Sequence, residues 1–315
     1  MTSAVCTVFE DHFHKGVAAL INSLYKNEFR GEFYAGHRGK LPKWAEAAAE
    51  NPNLDWPGAK TLQIDDGLQV HFLPIVTEYH LAHYKPSFML SLLNGPAKNA
   101  DGLAYFDPDI VILCRWGFYE KWMSYGVAMV HEIVTNDMPV SHPTRMQWYD
   151  IIRMLNKEPK REIHSYINSG FCGVSKKNIE FLKVWAQIIE VAIKDYNMDA
   201  ATFIAYDRTS PFYCIDQDAF NIAAMCCESP ISEMGPEAMD LVGAGWTMSH
   251  AVGWPKPWRK KVLLTAFAGN SPSRQDKHYW KNIYDPIKVY DTLYVFRKKT
   301  EISIATFIGR FYRRY

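Results

Sequence analysis

The chain has 315 residues, 48% of them hydrophobic, with 35 lysines and arginines against 34 aspartates and glutamates and a formal net charge of +1. That length suits one large α/β domain with a sizeable core, and the near-zero balance, with both signs interspersed, gives no electrostatic case for nucleic acid as a partner. Cys6, Cys114, Cys172, Cys214, Cys226 and Cys227 show no C-x-x-C spacing and point to a reducing, cytoplasmic setting; with no basic leader and no membrane-length apolar run, the chain is expected to be neither exported nor integral.

"AVCTVFE" at 4–10 reads as a buried strand, and "KGVAALINSLYKNEF" at 15–29 carries apolar residues at helical spacing. "GEFYAGHRG" at 31–39 resumes as a strand bounded by glycines. A Pro-interrupted segment from 42 to 58 reads as an insertion or long loop before a third strand, "LQVHFLPIV" at 68–76. A helix over "HYKPSFMLSLL" leads into "GLAYFDPDIVIL" at 102–113. Strands alternating with helices predict a mostly parallel sheet covered by helices on both faces, with ligands bound beyond the carboxyl ends of the strands.

The second half is less regular. "VAMVHEIV" at 127–134 and "INSGFCGVSKKN" at 167–178 are strand candidates, "IEFLKVWAQIIEVAIKDY" at 179–196 is an amphipathic helix, and "DQDAFNIAAMCC" at 216–227 is a shorter one. Between them, 136–162 and 196–213 are long aromatic and proline-containing stretches with the character of lids or of an acceptor-binding wall.

Asp107 and Asp109 stand one residue apart in "YFDPDIVI". A D-x-D triplet alone is a weak signal. On a strand the two side chains would share a face while Pro108 removes an amide donor, and two like charges so placed repel unless a cation, a proton or a cluster of donors lies between them. A divalent metal is the first candidate.

Far downstream, "SHAVGWPKPW" presents His250, Gly253, Lys256, Pro257 and Trp258 as H-x-x-G-x-x-K-P-W. With "YFDPDIV", "INSG" and "DQDAFN" in this chain order, the sequence resembles the metal-dependent glycosyltransferases of GT-A fold, and among them glycosyltransferase family 8, over roughly residues 4 to 260. The resemblance implies that Asp107, Asp109 and His250 hold Mn²⁺ or Mg²⁺ bridging a donor diphosphate. It implies further that Lys256 contacts the diphosphate, and that Gly253 lets the backbone approach it. Asn168, Asp216 and Gln217 would face the donor sugar, with Gln217 near the anomeric carbon. Lys85 stands where the family commonly has arginine, a point charge in place of a bidentate fork. Glu10 and Asp11 occupy the place of an aspartate-rich turn, and either can meet the nucleoside. Independently of the resemblance, breaking a nucleotide-sugar bond builds negative charge on the departing diphosphate, which a cation and a lysine stabilise.

Several readings stay open at this stage. Asp216 also suits helix capping. His12 and His14 read as a loop over the nucleotide rather than a second metal site. Trp246, Trp254 and Trp258 suit either sugar stacking or packing, and none is assigned to the site. Residues 1–290 form the expected transferase domain. In the tail, 291–315, Arg297, Lys298, Lys299, Arg310, Arg313 and Arg314 interleave with Ile302, Ile304, Phe307, Ile308, Phe311, Tyr312 and Tyr315. Such a segment suits either an anionic membrane interface, reached from the cytoplasmic side, or a final helix packed on the domain.

The expected activity is hexose transfer from a nucleoside diphosphate sugar, UDP-linked, to a glycan or lipid-linked acceptor, and the family resemblance implies retention of configuration. One rival is a haloacid dehalogenase-like phosphatase, whose D-x-D follows the first strand, whereas three expected strands precede it here. The other is a non-catalytic, membrane-docked carbohydrate-binding module.

Overall fold

The computed structural model describes residues 2–65, 67–132 and 137–311. The first half builds β1 (Ser3–Glu10), α1 (His14–Lys26), β2 (Gly31–Arg38), the short β3 (Ala49–Glu50) and β4 (Lys60–Asp65), β5 (Leu68–Pro74), α2 (Leu81–Asn94), β6 (Gly102–Phe106) and β7 (Ile110–Ile112). Then come α3 (Trp116–Tyr125), β8 (Val127–His131), α4 (Pro143–Met154), β9 (Ile167–Ser175), α5 (Glu180–Lys194), α6 (Ile215–Cys226), β10 (Ile231–Met234) and β11 (Met248–His250). The chain closes with α7 (Val262–Phe267), α8 (Arg274–Asn282) and α9 (Thr292–Ile308).

Among the described residues the main sheet runs β10-β8-β9-β6-β1-β2-β5-β4-β3. Its centre is parallel, since β1 pairs in parallel with β2 and β6, and β2 with β5. β9 enters antiparallel between β6 and β8, and the β3–β4–β5 edge is antiparallel. The expected mostly parallel sheet flanked by helices is therefore present. The side-chain period of 2 on buried strands explains the two cores. Ala4, Cys6 and Val8 of β1, with Leu103 and Tyr105 of β6, pack under α2, α5 and α6; Val5, Phe9, Ala104 and Phe106 alternate to the other face, under α1 and α3. A third cluster joins α7, α8 and α9 to Ala19 of α1, Val111 and Trp258.

The structure corrects several sequence expectations. Asp107 and Asp109 are not on a strand, because β6 ends at Phe106 and the Asp107 carbonyl accepts the Ile110 amide at 3.1 Å, closing a turn before β7. Five strands precede β6, the strand that leads into the aspartates, and not three, since β3 and β4 form on the exposed sheet edge. The 136–162 stretch contains helix α4, entered through Pro143 at its first position, where a missing N–H costs nothing. The strand expected at 127–134 is β8 as far as His131; Ile133 and Val134 lie outside the described residues, as do Asn136 and, in the tail, Tyr312, Arg313, Arg314 and Tyr315. All six cysteines are free. No helix among the described residues is long and apolar enough to cross a membrane.

Candidate active site

The chain order of the sheet dictates where chemistry collects. The carboxyl ends of β8, β6 and β1 and the amino end of the antiparallel β9 lie on one edge, at the point where the order reverses on either side of β1 and β6. β8 delivers Glu132, β9 Asn168 and Ser169, β6 Asp107, and β1 Glu10. These residues line one cleft of about 630 Å³.

The turn after β6 is held at both ends. The Asp107 amide donates to the Gly170 carbonyl at 2.7 Å, and β7 pairs antiparallel with β11, opposing Ile110 to His250. The Ala251 amide donates to the Asp109 carbonyl at 3.1 Å. On the opposite side the turn rests on α1, where a Cβ at Gly16 would stand 1.9 Å from the Pro108 carbonyl oxygen. As a result His250 Nε2 lies 3.3 Å from Asp109 Oδ1 and 3.9 Å from Asp107 Oδ2. Asp107, Asp109 and His250 offer ligand atoms within 4.8 Å of one another and are the one such group of three among the described residues. Two carboxylates and an imidazole suit a hard divalent cation that accepts one nitrogen, such as Mn²⁺ or Mg²⁺. Gly170 matters here because a Cβ on it would lie 2.5 Å from His250 Cε1.

Two lysines neutralise the acids. Lys256 hydrogen-bonds Asp109 Oδ2 and donates to the Ala251 carbonyl at 3.0 Å. Burial works against ionisation of Asp109, but His250 and Lys256 outweigh it and hold this carboxyl well below the usual range. Gly253 lies two residues after Ala251 and three before Lys256, in backbone of φ +86°, with open space where a Cβ would be. Lys85 is buried, with Nζ 3.0 Å from Asp216 Oδ2, 3.1 Å from Asp107 Oδ1 and 3.3 Å from the Ser169 carbonyl. Burial works to lower its pKa, but Asp107 and Asp216 outweigh that and push it above the ordinary lysine value.

At the β8–β9 end, Asn168 Nδ2 donates to Glu132 Oε2 at 2.6 Å and Gln217 Nε2 to the same oxygen at 3.2 Å. The Ser169 amide donates to Gln217 Oε1 at 3.0 Å, so the Gln217 amide is oriented from both ends. Asp216 is not a helix cap: Cys214 holds that position, Asp218 accepts its amide at 2.7 Å, and Asp216 receives the Ser169 hydroxyl at 2.6 Å besides Lys85. At the other end Glu10 pairs with Arg38 at 3.1 Å, while Asp11, exposed at φ +47°, is not among the cleft-lining residues. The structure thus brings together Asp107, Asp109, His250, Lys256, Gly253, Lys85, Asn168, Asp216, Gln217 and Glu10, and leaves Asp11 aside. Glu132, Ser169 and Gly170 escaped the sequence reading, although two of them lie inside "INSG" and the third directly follows β8.

No family model matches the chain, and no curated protein matches it in sequence. Solved structures do match in fold. The bifunctional glycosyltransferase WbbM, in its apo form, superimposes with a TM-score of 0.53 at 13% identity, over 94% of this chain and 51% of that one. The glycosyltransferase GlyE of Streptococcus pneumoniae TIGR4 gives 0.53 at 10% identity, over 96% of this chain and 64% of that one. The chain therefore spans about half to two thirds of these two structures, and what it shares with them is the glycosyltransferase fold.

Two outcomes follow from this geometry. Lys85→Met leaves Asp107 and Asp216 facing each other without their shared cation and is expected to cost about 3–5 kcal/mol in urea unfolding; wild-type stability in the variant contradicts the central role of Lys85. Burial raises the Asp218 carboxyl to about 7, against the opposing hydrogen bonds from Cys214 and Tyr166. Because this folded pKa exceeds the ordinary 3.8, the folded state binds the extra proton, so the group's contribution to stability is complete below about pH 4 and is lost as pH rises through 7. Asp218→Asn is expected to flatten that decline in unfolding titrations, and an unchanged pH profile contradicts it.

Proposed function

We propose that the chain is a metal-dependent glycosyltransferase of the family 8 type. It moves a hexose from a UDP-linked sugar to a hydroxyl of a glycan or lipid-linked saccharide, in the synthesis of bacterial surface polysaccharide or lipopolysaccharide. The observation that carries this reading is the convergence of Asp107, Asp109 and His250 with Lys256 on one side and the Asn168–Gln217–Glu132 network on the other. Across the sheet, sugar-handling polar groups (β8, β9), a metal and phosphate centre (β6) and a nucleoside end (β1) come in the linear order of a nucleotide sugar. At about 4.8 Å per strand, β8 to β1 spans about 14 Å.

The residues divide the work. A divalent cation held by Asp107, Asp109 and His250 supplies Lewis-acid neutralisation of the departing diphosphate. Lys256 exchanges its contact with Asp109 for the phosphate oxygens, adding a cation where charge develops. Lys85 fixes Asp107 and Asp216 relative to each other, and Asp216 anchors the Ser169 end of the sugar site. Gln217, oriented by Ser169 and Glu132, faces the anomeric carbon, and attack on the same face as the leaving group retains configuration, with the departing phosphate as base. The phosphatase rival is disfavoured because its aspartates follow a first strand, whereas here they follow β6. A binding module that had lost catalysis predicts a missing metal or nucleotide site, whereas Asp107, Asp109 and His250 are all in place beside Lys256.

Mn²⁺ with UDP is expected to raise the melting temperature where neither does alone, since ligand at 100 times Kd adds about 2.7 kcal/mol. Asp109→Asn is expected to abolish that response and the slow hydrolysis of UDP-sugars. Absence of any nucleotide response with any divalent metal in folded wild type overturns the transferase reading.

The tail supports membrane contact at the cytoplasmic face. Val295, Ile302 and Ala305 of α9 are buried against α7 and α8, while Leu293, Phe296, Phe307 and Phe311 are exposed, as are Leu264 and Phe267 of α7, the helix that packs on α9. Glu301 pairs with Arg297 and Lys298, which tempers the basic charge, so apolar insertion contributes more than attraction. Wild type is expected to co-sediment with phosphatidylglycerol vesicles and Phe296→Ser with Phe307→Ser to remain in the supernatant; equal partitioning of both proteins contradicts it.

A further inference from the structure

The three tryptophans that the sequence leaves unassigned have three different fates. Trp258 is 8% exposed and donates its indole N–H to His12 Nδ1 at 2.9 Å, and Trp246 packs edge-on against Phe118, outside the cleft lining. Trp254 is 63% exposed and lines the cleft.

Its surroundings hold it in place. The Arg259 guanidinium lies 5.2 Å over its ring, and the His12 ring lies 5.7 Å from it. His12 is fixed in turn by Trp258 and stacks on Phe13 at 4.7 Å, and Phe13 also lines the cleft. Burial first, then Arg259 and Lys15, lowers the pKa of His12, which keeps this imidazole a neutral ring near neutral pH. The result is an aromatic group at the β1–α1 turn whose one widely exposed member projects into the site. A large indole left in water inside a cleft, braced by a cation over its ring, is a surface suited to a flat π-system.

Position decides which flat group. Trp254 is two residues from Lys256, which contacts Asp109, and its neighbours His12 and Phe13 follow β1, the strand that delivers Glu10. The sugar-handling groups Asn168 and Gln217 come from β9 and α6, on the far side of the metal cluster from β1. Resting on the donor reading above, we infer that Trp254 stacks on the nucleobase of the donor, so that the single segment from Gly253 to Lys256 grips the base with its indole and the diphosphate with its ammonium group. Every base offers a π-face, so the indole adds affinity without choosing the base. Selection is left to polar groups such as the Glu10–Arg38 pair.

The test separates base from phosphate by titration calorimetry of the full chain with Mn²⁺, using UDP and inorganic pyrophosphate as probes. Trp254→Ala is expected to weaken UDP by about tenfold or more while leaving pyrophosphate unchanged, and Trp254→Phe to restore most of the UDP affinity. Lys256→Ala is expected to weaken both probes. Wild-type UDP affinity in Trp254→Ala, with a raised acceptor KM instead, overturns the inference and leaves the donor reading standing. An equal loss for UDP and pyrophosphate also overturns it, since the indole would then act through the phosphate segment. Failure of wild type to bind UDP, GDP, CDP or ADP removes this inference and the donor reading together.

Discussion

The molecule turns on a concentration of negative charge that the fold cannot release to water. Asp109 and Asp216 are buried and Asp107 is half-buried, all on one sheet edge, against two ammonium groups, Lys85 and Lys256. Three carboxylates against two lysines leave a net negative charge before His250 is considered. In a low-dielectric setting such a cluster persists only where each member has a fixed counter-charge or donor. Lys85 meets this demand structurally, since it ties β6 to α6 from the buried side. Lys256 meets it on the open side, where a divalent cation can take over its role toward Asp109 and free the ammonium for a phosphate.

Topology turns this electrostatic centre into a linear site. The antiparallel insertion of β9 between β6 and β8 brings the start of β9 to the same edge as the ends of β6 and β8, with Phe106 opposite Phe171 and His131 opposite Ile167. This single reversal places Asn168, Ser169 and Gly170 against the aspartate turn and against Glu132. A wholly parallel insertion would have sent them to the far edge. The small β7–β11 ladder does the same for His250, setting it opposite Ile110, next to Asp109, although the two side chains lie 141 positions apart in the chain.

How far the sequence disclosed this depends on the range of each signal. The buried parallel strands, α1 and α5 carry strong local periodicity and were legible, and the long pattern H-x-x-G-x-x-K-P-W singled out His250 and Lys256, which the fold brings beside Asp107 and Asp109. The strand-alternation reason for pairing Asp107 with Asp109 was incorrect. Convergence comes from a turn whose hydrogen bonds to Gly170 and Ala251 no local pattern reveals. β4 alternates weakly on an exposed edge, and α3 is aromatic on several sides, so neither periodicity stands out. Glu132 was missed because its role depends on which residues of β8 and β9 face each other, a register that shifts between Ala128 and Val130. The choice of Trp254 over Trp246 and Trp258 likewise rests on tertiary placement, since of the three only Trp254 is both exposed and in the cleft lining.

On the proposed reading, Asp107, Asp109 and His250 would hold a divalent cation that neutralises the nucleotide's phosphates. Pulsed electron paramagnetic resonance on the Mn²⁺–UDP complex reads both neighbours of the ion at once. Nitrogen coupling from His250, absent in His250→Gln, is expected together with phosphorus coupling from UDP on the same ion. Phosphorus coupling without any protein nitrogen, or bound manganese that no nucleotide perturbs, would contradict it.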